Sequence, residues 1–170
     1  IDEKKGANSE EKQKVKDIVK KVVPNSEAYT AAYGTREEYS FGGGGRTVTS
    51  TTKYWYYGVA FKPGDLYLVP LSFEGGDVSY SEPLHFQKGD LGMAETKNGL
   101  LVLYGKDRKE LMNLFVVASN TKEDKYHPVN IQQKEEAEAF MQFAQSFAQE
   151  INAANGITDI KAAKKEARKG

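Results

Sequence analysis

The stretch Tyr57-Gly58-Val59-Ala60-Phe61-Lys62-Pro63-Gly64-Asp65-Leu66-Tyr67-Leu68-Val69-Pro70-Leu71 decides how this chain folds. Two β-prone runs flank Lys62-Pro63-Gly64-Asp65, where proline presets φ and glycine accepts the positive φ that a tight reversal needs. So short a link makes the flanking strands antiparallel. Successive side chains of a strand point to opposite faces, so Leu66 and Leu68 share one side. Pro70 has no amide hydrogen to give a ladder, which places its strand at an edge or at a bulge.

Outward from this hairpin the same texture continues. Seven β-prone runs are expected: Glu27 to Gly34, Arg46 to Phe61, Leu66 to Ser72, Val78 to Gln87, Leu91 to Glu95, Leu100 to Tyr104 and Glu110 to Ala118. Gly75-Gly76, Lys88-Gly89-Asp90, Asn98-Gly99 and Gly105-Lys106-Asp107 supply the reversals between them. Leu100 to Tyr104 is apolar on both sides, the pattern of a central strand.

Helical periodicity brackets the β region. Val15, Ile18, Val19, Val22 and Val23 form one apolar stripe, predicting a helix from a Ser9 cap to about Val23, where Pro24 stops it. Past Pro128, Asn130 with Gln133 resembles a capping box, and Glu135 and Glu136 suit a helix's positive end. Ala137, Phe140, Met141, Ala144, Phe147, Ala148 and Ile151, with Phe143 beside them, predict a long helix ending at Gly156 and packed against the sheet. Ile157 to Gly170 is expected to be a basic tail or a short helix capped by Thr158. The expected organisation is a disordered tail over 1–8, one domain over 9–156 and the basic segment over 157–170.

Composition narrows the function classes. A chain of 170 residues with 39% hydrophobic and 28% charged residues suffices for one core. Lys+Arg 24 against Asp+Glu 24 leaves no net positive charge, which argues against a dedicated nucleic-acid binder. Without cysteine there is no disulfide, thiolate nucleophile or Cys-based zinc site, and no apolar run has the length of a membrane span. The cytoplasm is the expected compartment, although a leader removed before Ile1 would change that.

Chemistry-bearing residues are sparse. Gly42-Gly43-Gly44-Gly45 followed by Arg46 invites a phosphate-cradle reading, but no Lys-Ser or Lys-Thr pair follows at P-loop spacing, so a hairpin loop is expected. In Lys53-Tyr54-Trp55-Tyr56-Tyr57, alternation puts Tyr54 and Tyr56 on one face and Trp55 and Tyr57 on the other, suited to packing or a stacking surface. His85 and His127 have no ligand cluster around them, so neither metal binding nor catalysis is expected, and no Gly-x-Ser-x-Gly elbow is present. Candidate ligand-binding residues are Arg36, Arg46, Lys53 and Trp55. Lys161, Lys164, Lys165 and Arg168 form a basic stripe that can meet an anionic lipid surface or an acidic partner.

Seven strands followed by one amphipathic helix is the element order of the pleckstrin-homology-like barrel, and Tyr57 to Leu71 looks like the hairpin of bacterial PH-like and GRAM-like domains. The segments Pro83 to Val117 and Asn130 to Phe147 are similar in layout to the rest of such a domain. The resemblance implies a mainly β, α+β fold: a seven-stranded bent sheet or barrel capped by the C-terminal helix, with the N-terminal helix as an addition. It also implies a non-enzymatic binding or assembly module for protein or peptide partners or self-association, without a cofactor. The basic cluster of phosphoinositide-binding members has only Arg36 and Arg46 as counterparts here, and no tryptophan stands in the C-terminal helix. The rival expectation is an enzyme or small-ligand carrier, a curved sheet around an apolar pocket lined by Tyr54 to Tyr57 with the N-terminal helix lying across it.

Overall fold

The structure, a computed structural model, describes residues 2–42, 49–73, 78–120 and 131–169. Its elements are α1 (Asp2–Val22), β1 (Thr30–Gly42), β2 (Thr49–Lys62), β3 (Asp65–Ser72), β4 (Ser79–Tyr80), β5 (Leu84–Gln87), β6 (Met93–Lys97), β7 (Leu100–Tyr104), β8 (Glu110–Phe115), β9 (Ser119–Asn120), β10 (Ile131–Gln132), α2 (Lys134–Ala154) and α3 (Ile160–Lys169). The fold is α+β and mainly β. Strands β1 to β8 form one antiparallel sheet in the order β4-β3-β2-β1-β8-β7-β6, with β5 also paired to β3. The sheet does not close: β6 ends one side of that path, and β4 with β5 the other.

The central hairpin forms as its residues dictate. Lys62 pairs with Asp65 across the turn, and Gly64 adopts φ 79°, a conformation costly for any side-chain-bearing residue. Pro70 corrects one expectation, because β3 is not an edge but has β2 on one side and β5 and β4 on the other. The ladder to β5 ends at Leu68 and the ladder to β4 begins at Leu71, so Pro70 falls in the gap, where no amide hydrogen is required. Its carbonyl accepts the Ser81 amide at 3.0 Å. The run Val78 to Gln87, expected as one strand, is two short ones with Pro83 between them.

Three layers result. On one face Leu66, Leu68, Val59 and Phe61 join Leu101, Leu103, Met112 and Leu114 around the Phe140, Phe143, Phe147 and Ile151 side of α2, so the sheet curves about this helix. On the opposite face α1 lays Val15, Val19 and Val23 against Tyr33, Ala60 and Val69. Gly58 permits the close approach, since a Cβ there would lie 3.0 Å from Val19 Cγ2. α3 and the residues leading into it cover the outward side of β6 and β7, with Ala163 and Ile160 of the helix and Ile157 before it on Met93, Val102 and Tyr104. A helix packed here replaces the alternative of a loose tail.

Helix ends differ from expectation in detail. α1 begins at Asp2 and so takes in the stretch before Ser9. α2 starts at Lys134 after Gln133, while Asn130, Pro128 and His127 lie outside the described residues. The cap of α3 is Asp159 rather than Thr158: its Oδ1 accepts the Ala162 amide at 3.2 Å.

Three side-chain amides complete the ladders where strands run out. Gln133 donates to the Tyr33 carbonyl at 2.7 Å and accepts the Tyr33 amide at 2.9 Å, standing in for a strand neighbour of β1. Asn113 does the same for Glu37, and Asn152 of α2 for Ala94 of β6. An amide presents one donor and one acceptor at the spacing of a peptide group, which suits it to this role. The β6 edge, a candidate for strand addition, is therefore engaged at Ala94 by its own helix.

Candidate functional site

The end of α2 and the β2–β3 turn do not meet flush. Between them lies a groove of about 370 Å³, with Phe61, Phe143 and Phe147 as its floor. Thr30, Lys62, Gln142, Ser146 and Glu150 supply its polar margin. The rings of the floor pack on one another: Phe143 lies 5.2 Å from Phe61 and 4.9 Å from Phe147, centroid to centroid. Chain geometry explains the exposed margin. Gln142, Ser146 and Glu150 recur every four residues on α2, one stripe beside the buried phenylalanines. Lys88, in the turn after β5, reaches Glu150 at 3.2 Å and lies across the turn, with its Cε 3.2 Å from where a Gly64 Cβ would be.

A second, open cleft of about 400 Å³ lies where β3 leaves β2, lined by Tyr54, Trp55, Tyr56, Tyr57, Pro70, Leu71, Ser72 and Phe73. It contains one of the expected ligand-binding residues, Trp55. The register pairs Arg36 with Trp55 and Glu38 with Lys53, so all four share a face. The Arg36 guanidinium lies 4.8 Å from the Trp55 ring centroid and 3.8 Å from a Glu38 oxygen. Burial pushes the Tyr57 phenol up, and the same guanidinium pulls it partly back. Arg36 is thus occupied by an aromatic face, a carboxylate and a phenol, while Lys53 is exposed opposite Glu38. Arg46 and Gly43 to Gly45 lie outside the described residues.

The basic stripe of α3 separates into unlike parts. Lys161 and Lys165 are exposed, and the side chain of Arg168 lies outside the description. Lys164 instead pairs with Glu95 of β6 and sits 5.5 Å from the Tyr104 ring centroid. The Tyr104 hydroxyl donates to the same carboxylate at 2.8 Å. Burial pushes the Glu95 carboxyl up, but hydrogen bonds from Lys164 and Tyr104 outweigh it and hold the group below the ordinary carboxylate range. Burial, reinforced by the bond to Glu95, pushes the Tyr104 phenol up to about 12.

Sequence reasoning missed one cluster. His85 contacts Asp65 through Nε2 and lies flat on Tyr67 at 3.9 Å between ring centroids. Tyr29 donates to the other Asp65 oxygen at 2.7 Å. Burial, then this bond, raises the Tyr29 phenol well above its ordinary value. Alternation correctly turns His85 away from Leu84 and Phe86, but only the β3–β5 register shows that it lands opposite Tyr67. Glu136, read as serving the helix dipole, also pairs with Lys12 at 2.8 Å and Lys16 at 3.2 Å on α1.

Among the described residues no group of His, Asp and Glu could hold a metal ion, and no helix is long and apolar enough to cross a membrane. No protein-family profile matches the chain, and no match to it was found among the curated proteins or the solved structures.

Proposed function

We propose that the chain is a non-enzymatic binding module of PH-like type, and that it takes a peptide segment of a protein partner in the groove between α2 and the β2–β3 turn. The groove carries this reading: a preformed apolar floor of three phenylalanines within a polar margin accepts a bulky apolar side chain while hydrogen-bonding its flanks. The strand order supports the PH-like assignment. A meander β1 to β4 and a meander β6 to β8 are joined through β1, and α2 packs against the concave side of both. A phage-displayed random peptide library selected on the whole chain tests it. Enriched peptides are expected to share an aromatic or large aliphatic anchor and to lose at least about tenfold in affinity against Ser146→Phe, which fills the groove from an exposed helix position. Failure to enrich any sequence, or equal binding to the variant, would sink the proposal.

The aromatic cleft favours a second reading, a carrier of a small planar or apolar ligand. Trp55 is the only tryptophan, so its fluorescence reports on that cleft. A small molecule that quenches Trp55 equally in the parent chain and in Ser146→Phe would support the second reading over the first.

A further inference from the structure

The short strand β5 is fastened to β3 by more than its ladder. On the side away from α2, His85 is held by Asp65 through Nε2 and lies parallel to the Tyr67 ring, with 5° between the planes. Tyr29 closes the cluster, donating to Asp65 and meeting Tyr67 edge-on at 5.5 Å. Lys62 Nζ sits 4.8 Å from the Tyr29 ring centroid. The charged and titratable groups around His85 are therefore Asp65 and Tyr67 from β3, Lys62 from the end of β2 and Tyr29 ahead of β1. Lys88 and Asp90 follow on its own segment, where Asp90 accepts the Gln87 amide at 2.9 Å.

The chain that leaves this cluster runs directly to the groove. Lys88 adjoins Gln87 at the end of β5, and it touches the groove's margin at Gly64 and Glu150. Whatever fixes β5 also fixes where Lys88 lies. An imidazolium donates to a carboxylate more strongly than a neutral ring does, because both partners then carry charge. It also gains attraction to the aromatic face beneath it. Both contributions disappear when the proton leaves, and one neutral tautomer turns a lone pair toward Asp65.

We propose that protonation of His85 tightens β5 onto β3 and seats Lys88 across the mouth of the groove, so that access to the groove depends on pH. The functional meaning rests on the reading of the groove as the binding site, but the test uses no ligand and can fail separately. Amide exchange of the whole chain is followed at about pH 5.5 and 8, spanning the range over which histidines change charge, and is corrected for intrinsic rates. In the parent chain the opening of residues 85–88 is expected to be about fivefold rarer at the lower pH, the scale of one partly exposed ion pair. His85→Gln and Asp65→Asn should each abolish that difference. Lys88→Gln should keep it in β5 while removing the accompanying response at Gly64. A pH response that survives in His85→Gln, or that is absent from the parent chain, overturns the proposal.

Discussion

Two helices lie on the outward side of the same sheet and are held there by different forces. α1 and the residue that follows it bury three valines almost completely, with Val15 and Val19 at 1% exposure and Val23 at 3%. α3 commits one small side chain as fully, Ala163 at 6%, with Ile157 and Ile160 only partly covered. What α3 lacks in apolar area it replaces with charge: Lys164 to Glu95, and Arg108 to Glu166 at 3.1 Å. The contrast shows that an amphipathic pattern forecasts attachment by the depth of its apolar stripe. A thin stripe still docks when the opposing strand offers a partly buried carboxylate, but its attachment then becomes sensitive to pH and salt.

The largest effect that separates the two helices should come from Val19→Ala. Removing buried methyl groups against Gly58, Ala60 and Val69 is expected to cost about 2 kcal/mol. Calorimetry should show the melting temperature falling by roughly 4 to 8 °C. A loss below half of that would mean that α1 contributes little to the core it covers.

Glu95→Gln should cost less, about 1 kcal/mol, because Lys164 keeps partial access to water. Its signature is the pH dependence. The folded carboxyl is held low, so its stabilisation is complete above the ordinary carboxylate range and is lost as pH falls through the lowered value. Lys164 is shifted up: burial opposes the shift, and the bonds to Glu95 and Tyr104 outweigh it. The stabilisation it contributes is therefore present at neutral pH and lost only as pH rises through the raised lysine value. Urea melts of the parent chain and the variant should thus differ most near neutrality and converge in acid. A gap that does not narrow at all as the pH falls from neutrality through and below the carboxylate range would show that the pair is not what anchors α3.

The smallest effect is expected for Lys161→Ala and Lys165→Ala, whose side chains are exposed. Each should change stability by no more than about 0.5 kcal/mol, measured in the same melts. A larger loss would mean that these lysines have partners in solution.

The local chemistry of the fold was legible where one element settles its own fate. Lys62-Pro63-Gly64-Asp65 fixes a hairpin without help from elsewhere, and the Phe140, Phe143, Phe147 and Ile151 stripe declares which side of α2 is buried. Where placement depends on a partner distant in sequence, the signal was weak. Nothing local tells Pro70 that its two outer neighbours will leave a gap beside it, or Lys164 that Glu95 will lie within reach. The candidate site divides in the same way. The pairing of Arg36 with Trp55 follows from the register of one long hairpin, whereas the groove needs α2 to cross the β2–β3 turn. The His85, Asp65 and Tyr29 cluster joins three segments, each bland when read by itself.

The amides of Asn113 and Asn152 carry a liability that their hydrogen bonds conceal. Slow hydrolysis of either side chain to aspartate would replace the NH2 that now meets the carbonyl of Glu37 or Ala94 with an anionic oxygen. One ladder contact would become a repulsion between two acceptors, with the strand's amide hydrogen still in place. Such a change would loosen the sheet where β1 parts from β8 and at the β6 edge, exposing β6 to neighbouring chains while the phenylalanine core stayed unchanged.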